Sequence, residues 1–451
     1  MRRFTLREHA ALVRIYLRDY PKLESFPALS QEEVAAWQLA ALRGLIQLAY
    51  ERSGFYRKLY TGYGIEPGDI RSWEDFRRLP TVTKDEILAH REEVLVDEGG
   101  RLRLVRSSGS TGQMLEIYAD TQRLISAALL MLRMYRGSHR FSPWEKGALI
   151  YASRYPYQRS HAPYGLHYIH TLTPPGQILN QLTRLHPTYI ISYPSILLEL
   201  AALDARRCRE LKVRALFTNS EHSSQAQRDT LAEVFGAAVF DEYSTEELCL
   251  GAFQCRHGLY HLQEDCAYLE VLHVEDDGQA LAGQVGEIVG TCLINRAMPF
   301  IRYRQGDLGG ITTASCGCGL DGRVLADLSG RKNASFRLPD GTQLPSGRIL
   351  DWTYALVLSL TLPIAQFQVI QHAVDRVEVV VVGSPAYRHD ECAPVIAESF
   401  RAEFGAFFQV TVTPADFIPR TPVGKHIPIR SLLHTPARRI SNSSEHGDRT
   451  G

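Results

Sequence analysis

Residues 187–244 read PTYIISYPSILLELAALDARRCRELKVRALFTNSEHSSQAQRDTLAEVFGAAVFDEYS, and their alternation decides the fold. PTYIISY (187–193), VRALFTNS (213–220) and AAVFDEYS (237–244) are short apolar runs that end in small or polar residues, the pattern of buried strands. Between them, SILLELAALDARRCREL and SQAQRDTLAEVFG carry helical patterns. Strand–helix alternation predicts an α/β layered core. Outward from this stretch, LRLVRSS and KGALIYAS add strands upstream, and YLEVLHV, GEIVGTCLI and FIRYR make residues 262–313 richer in β signals. Residues 1–96 read as mostly helical, with capping boxes at Ser30–Glu33 and Thr83–Glu86. The turn-rich SGRKN (329–333) and LPDGTQLPSG (338–347) lead to a small α/β unit at 348–436, whose strands QFQVIQ, RVEVVVVG and FQVTVTP surround one helix, CAPVIAESFRAEFG. The expected fold is therefore α/β: a large N-terminal domain of mixed sheets and helices (1–330), a small C-terminal α/β domain (331–436) and a polar, disordered tail (437–451).

The 451 residues are 45% hydrophobic and 22% charged, which excludes disorder of the whole chain. Lys plus Arg is 50 and Asp plus Glu is 50, so the chain is formally neutral and argues against a dedicated nucleic-acid or anionic-membrane binder. A small-molecule ligand is the expectation. The N-terminus, MRRFTLREHAALVRIYLRDY, has no clean apolar core or cleavage site, and no apolar run is long enough to span a membrane. Cytoplasmic location follows as the default, and clustered cysteines are then read first as metal ligands.

Five motifs carry chemistry. Ser107-Ser108-Gly109-Ser110-Thr111-Gly112 follows a strand-like run; its glycines allow a tight turn whose hydroxyls and N–H groups can cradle phosphate, or it is a plain hairpin loop. Tyr243, with Glu246 and Glu247 just after it, offers a stacking ring and a carboxylate for Mg²⁺, though a strand end running into a helix cap reads the same way. Asp307, in Arg302-Tyr303-Arg304-Gln305-Gly306-Asp307-Leu308, can accept two hydroxyl protons or make a local turn bond. Lys425 ends the constrained loop Pro419-Arg420-Thr421-Pro422-Val423-Gly424-Lys425, where an ammonium suits a phosphate or an oxyanion. Cys255, His261, Cys316 and Cys318 make a Cys₃His set for a structural zinc, with His257 an alternative to His261. Two further patterns are set aside. Gly317-x-Gly319-x-x-Gly322 lacks the flanking strand and helix of a dinucleotide site, and His161, His167 and His170 have no accompanying carboxylate or cysteine, so they line a pocket or sit on a loop.

In order, the first four motifs resemble the adenylate-forming superfamily, and within it the phenylacetate–CoA ligase and coenzyme F390 synthetase-like family. The likeness runs from about residue 40 to 430 and takes in FYRKLY…SWEDFRRLPTVTKDEI, PTYIISYPSILLELA, NSEHSS around Glu221 and the Cys/His pairs. The resemblance implies an AMP-forming ligase. A carboxylic acid, aryl or similarly planar, attacks the α-phosphate of ATP. The acyl-adenylate then passes to a nucleophile, usually the thiol of coenzyme A. It implies that residues 107–112 hold the β- and γ-phosphates, that Glu221 belongs to the nucleotide site, that Tyr243 packs on adenine and that Glu247 binds Mg²⁺. Asp307 would bind the ribose hydroxyls, Arg331 would lie at a hinge, and Lys425 would act in adenylation and then leave. Three positions depart from the family pattern: Gln113-Met114 stands for Lys-Pro, Ser244 for Gly, and Lys332-Asn333 for paired aspartates. The alternatives are transfer to an amine or a carrier-protein thiol, adenylylation of a hydroxyl, and a non-catalytic zinc-stabilised binding protein. Related enzymes are often dimers, so a homodimer is left open.

Overall fold

The computed structural model describes residues 14, 17–22, 24–96, 102–107, 114–138, 141, 142, 144–154, 165–359 and 362–433. The strands are, in chain order, β1 (Arg103–Arg106), β2 (Glu116–Ala119), β3 (Lys146–Tyr151), β4 (Gly165–His170), β5 (Tyr189–Ser192), β6 (Ala215–Thr218), β7 (Ala238–Thr245), β8 (Cys249–Gln254), β9 (Tyr260–Leu262), β10 (Ala267–Leu272), β11 (Gly286–Cys292), β12 (Tyr303–Ala314), β13 (Gly322–Arg331), β14 (Phe336–Arg337), β15 (Gln343–Leu344), β16 (Ile364–Ala373), β17 (Arg376–Gly383), β18 (Gln409–Pro414) and β19 (Ile429–Ser431). Eleven of them form one sheet in the order β10-β11-β12-β13-β9-β8-β7-β6-β5-β3-β4. The half from β4 to β7 is parallel, and the half from β8 to β10 is antiparallel.

β7 joins the two halves. Its first residues, Ala238–Asp241, pair in parallel with β6, and Glu242–Thr245 pair antiparallel with β8. A register shift between Tyr243 and Ser244 turns the strand end. Parallel strands leave their carboxyl ends on one side of a sheet, where ligands bind in α/β folds. Here Tyr151–Ser153, Tyr193–Ser195, Ser220–His222 and Tyr243–Glu246 lie at those ends and line one cavity.

Three apolar cores support this frame. One packs the helices Gln31–Arg52 and Gly54–Gly62 against the sheet, and includes Tyr56, Tyr60, Phe76, Phe217 and Phe300. A second lies between β3, β5 and β6 and the helices Pro175–Leu185, Pro194–Leu203 and Gln225–Phe235. The third gathers residues 336–429 around the four-stranded sheet β18-β17-β16-β19, with Trp352, Phe400 and Phe408 inside it. The capping boxes at Ser30 and Thr83 form as expected.

The fold differs from the sequence reading in four places. The pattern at 195–211 splits into the helices Pro194–Leu203 and Ala205–Glu210, because Asp204 takes an extended backbone and its carboxylate accepts the Arg207 N–H as an N-cap. Ser329-Gly330-Arg331 is the end of β13 rather than a turn, since Leu308 and Asp307 of β12 hold Gly330 and Arg331 in a ladder. His167 and His170 lie on β4, an edge strand, and His161 is outside the described residues. The small unit also holds a second helix, Ser346–Ser359, whose apolar residues Ile349, Leu350 and Trp352 enter the third core. The tail at 437–451 also lies outside the described residues. Among the described residues no helix is long and apolar enough to cross a membrane.

Candidate active site

The cavity at the carboxyl ends of the parallel strands has a volume of about 2740 Å³. A pocket for one small molecule is about 300–1,000 Å³, so two ligands fit side by side. Ser107 stands at its edge, where its Oγ accepts the Leu115 N–H (2.9 Å) and its own N–H donates to the Leu115 carbonyl (2.9 Å). This pair closes the base of the Ser/Thr/Gly loop; Ser108, Gly109, Ser110, Thr111 and Gly112 lie outside the described residues.

Tyr243, Asp307 and Arg331 meet on neighbouring strands. Asp307 and Arg331 are direct cross-strand partners of β12 and β13, and the Arg331 Nε donates to the Asp307 carboxylate at 3.0 Å. The Tyr243 hydroxyl donates to the other Asp307 oxygen (3.0 Å) and accepts from Gln305 Nε2 (2.9 Å). Burial, reinforced by Asp307, pushes the Tyr243 phenol well above its ordinary range. The flanking arginines are structural. Arg302 forms a buried ion pair with Glu270 (2.8 Å) and bonds the carbonyls of Arg77 and Leu79. Arg304 pairs with Glu287 (2.6 Å), which also holds Lys332 (3.0 Å).

Glu246 and Glu247 part after the bulge. The Glu246 carboxylate lies 3.8 Å from the buried Arg123 guanidinium, which also donates to the Glu246 carbonyl. Burial raises the Glu246 carboxyl to about 7, against the pull of Arg123. Glu247 takes the Tyr303 hydroxyl at 3.4 Å. Burial also raises Glu247, opposed by the charges of Arg331 and Lys84.

Lys425 arrives from the C-terminal unit. Its loop is a closed turn: the Thr421 N–H donates to the Lys425 carbonyl (2.9 Å), and the Lys425 N–H donates to Thr421 Oγ1 (3.0 Å). Gly424 has φ +80°, where an added Cβ would strike Thr171. The loop is fastened to the large sheet's face by Thr171 Oγ1, which donates to the Val423 carbonyl (3.1 Å), and by Arg420, which pairs with Glu199 (2.5 Å). The Lys425 Nζ sits 5.7 Å above the Tyr193 ring. Burial, then the nearby Arg331, lowers this ammonium to about 8, while Glu221, Glu246 and Glu247 oppose the fall. Glu221 does not point its oxygens at open cavity: one accepts the His426 N–H (2.8 Å) and the other the Ser195 N–H (3.2 Å).

Away from the cavity, the ligand atoms of Cys255, His261, Cys316 and Cys318 all lie within 4.8 Å of one another. Cys255 Sγ is 3.7 Å from Cys316 Sγ, and Cys318 Sγ is 3.4 Å from His261 Nε2. β8 and β9 bring Cys255 beside His261, and the β12–β13 turn supplies the Cys-x-Cys pair. The His257 ring is instead turned to Arg256 (3.3 Å), so His261 is the imidazole of the cluster.

Sequence reasoning missed Arg123, Gln305 and the Glu199–Arg420 pair. Glu199 had a signal: it is the one carboxylate in the apolar run SILLELAAL, and Arg420 stands within the loop that was singled out. Arg123 had none, because only the fold sets it beside Glu246. Tyr151 and Tyr193 line the cavity with their rings edge to face, 5.1 Å apart. Tyr155, Tyr157 and Tyr164, which follow Tyr151 in the sequence, lie outside the described residues.

No family model matches the chain. It is 25% identical over 456 residues to a phenylacetate-coenzyme A ligase of Thermus thermophilus, covering 90% of this chain and 97% of that protein. It is 26% identical over 307 residues to a phenylacetate-coenzyme A ligase of Escherichia coli, covering 64% of this chain and 69% of the relative. Among solved structures, 2-hydroxyisobutyryl-CoA ligase in its postadenylation state superposes with a TM-score of 0.72 at 19% identity, over 87% of this chain and 90% of that one. The same ligase in its thioesterification state gives 0.62 at 20% identity, over 89% and 90% of the two chains. These superpositions establish a shared fold.

Proposed function

We propose that this chain, a member of the adenylate-forming, phenylacetate–CoA ligase-like family, activates a carboxylic acid with ATP and passes the acyl group to the thiol of coenzyme A. The observation that carries this reading is the convergence in one cavity of Tyr243, Asp307, Arg331 and Glu247 with Lys425 from the C-terminal unit. In the first step a carboxylate oxygen bonds to the α-phosphorus of ATP, the bond to the β-phosphate oxygen breaks, and pyrophosphate leaves. Two anions must approach each other there, so positioning and charge compensation do most of the work. The Lys425 ammonium would supply that compensation between the carboxylate and the α-phosphate. In the second step the thiol sulfur bonds to the acyl carbon and AMP departs.

Tyr243 would pack on the adenine, with Glu221 bordering the nucleotide end. The ribose diol would take over Asp307 from the Tyr243 hydroxyl and Arg331. Residues 107–112 would embrace the terminal phosphates. Glu247 fits Mg²⁺ better than Glu246, because Arg123 already neutralises Glu246. The ion would offset phosphate charge. The three thiols and one imidazole fit a four-coordinate structural zinc, which would tie β8 and β9 to the β12–β13 turn. We read residues 1–330 as the nucleotide and acid domain and 331–436 as a mobile domain that carries Lys425 and turns between the steps. The Tyr151–Tyr193 wall beside Lys425 supports an aryl acid. Eight free thiols suit a reducing cytoplasm. Coenzyme A is favoured over a carrier-protein thiol or an amine by its place in the names of the relatives.

The test is ATP–pyrophosphate exchange with pooled aryl acids and pooled aliphatic acids, followed by addition of coenzyme A. Exchange that depends on the aryl pool, and thioester formation on adding coenzyme A, are expected. Absence of exchange in every pool while ATP still binds would overturn acid activation.

A further inference from the structure

We infer that Glu221 is a positioning residue: its carboxylate is the receptor that seats the Lys425 loop for the first half-reaction. The inference rests on the adenylation reading above and adds to it a role for one side chain. Glu221 leaves the end of β6 beside the start of the helix Pro194–Leu203. Its Oε2 accepts the Ser195 N–H, one of the N–H groups that a helix leaves without an internal partner in its first turn. Its Oε1 accepts the N–H of His426, the residue that follows Lys425. One carboxylate therefore bridges a fixed helix end of the large sheet and the main chain next to the lysine. Bonds from N–H groups to an ionised carboxylate are among the stronger hydrogen bonds. Thr171 to Val423 and Arg420 to Glu199 and Ser195 fasten the loop at residues 420–423. Glu221 adds a hold on the main chain just past the lysine. On the C-terminal unit's own side, the His426 ring bonds the Phe367 carbonyl (2.9 Å), so the residue Glu221 grips is rigidly joined to β16. When the C-terminal unit turns for the second step, the Glu221–His426 bond must break, which makes it specific to the first arrangement.

Two readouts test this in the full chain. Hydrogen–deuterium exchange on the ligand-free protein should show the amides of 421–427 protected in the wild type and exposed in Glu221→Ala and Glu221→Gln, with 364–383 unchanged. Glutamine keeps the volume but offers one acceptor oxygen and turns an N–H₂ toward the second donor. ATP–pyrophosphate exchange should fall about 10- to 100-fold in Glu221→Ala, the scale of one or two charge-assisted hydrogen bonds lost. Thioester formation from saturating supplied acyl-adenylate and coenzyme A should fall by a clearly smaller factor than pyrophosphate exchange, because the His426 bond is not made in the second arrangement. Unchanged protection at 421–427, or an equal fall in both half-reactions, would overturn the inference. Failure of the wild type to exchange pyrophosphate with any acid would sink the proposed function instead, while amide protection would still decide the role of Glu221.

Discussion

Adenylation by the wild-type chain is expected to fall away above pH 8, and Lys425→Arg is expected to remove that fall. The cause is local. Burial strips water from the Lys425 ammonium and Arg331 adds a second cation, so the group drops from its ordinary 10.5 to about 8 despite Glu221, Glu246 and Glu247. That drop corresponds to roughly 3 kcal/mol held against the charged form. The ammonium is the form that can compensate two anions, so activity is full below the folded value and is lost as pH rises through it. At pH 9 about one molecule in eleven would keep the proton, against about 97% for an unperturbed lysine. A fall of about tenfold between pH 7 and pH 9 is therefore expected in the rate of ATP–pyrophosphate exchange at limiting acid and ATP, where the ionisation of the free protein governs the rate. Arginine stays charged throughout this range. Lys425→Arg should run slower, because the planar guanidinium does not occupy the ammonium's position, but with no limb near pH 8. Arg331→Leu, which removes the neighbouring cation, should move the wild-type limb upward. A wild-type rate that is flat to pH 9.5, or a limb that survives in Lys425→Arg, would refute the assignment of this titration to Lys425.

Gly424→Ala should lower pyrophosphate exchange by about tenfold or more at unchanged ATP affinity, because alanine at φ +80° is strained by about 1–2 kcal/mol and its Cβ meets Thr171; equilibrium ATP titration alongside the exchange rate checks it. Metal analysis of the purified chain should find one zinc per molecule. His261→Ala and Cys316→Ser should lose it and lower the thermal midpoint, whereas His257→Ala should keep it. Glu270→Gln should destabilise the chain by about 3–5 kcal/mol in urea unfolding, since it leaves Arg302 buried without its anion.

Local patterns carried much of the fold. The strands at 187–193, 213–220 and 237–244 appear where continuous apolar runs end in polar residues, because a strand covered on both faces must be apolar along its length. Ser30 and Thr83 start helices because their hydroxyls reach N–H groups only three residues away. The break at Asp204 was harder to see: an aspartate inside an apolar helical pattern can face solvent or cap a new helix, and packing chose the second. The short strand β19 and the helix Ser346–Ser359 were missed because each finds its partners in distant segments of the small unit.

By itself the sequence determined the chemistry on offer: a loop lysine, a strand-end tyrosine, a turn aspartate and a set of thiols with histidines close by. These are properties of residue type and short-range order, and they survive in any conformation that keeps the local turns. Tertiary structure alone decided which of two glutamates pairs with an arginine, which of two histidines joins the thiols, and what Glu221 holds. Each choice depends on a group far away in the chain: Arg123 beside Glu246, Cys318 beside His261, and His426 beside Glu221. Hydrogen bonds and charges act over a few ångströms of space, so sequence separation carries no information about them until the strands of one sheet and the docked C-terminal unit bring their owners together.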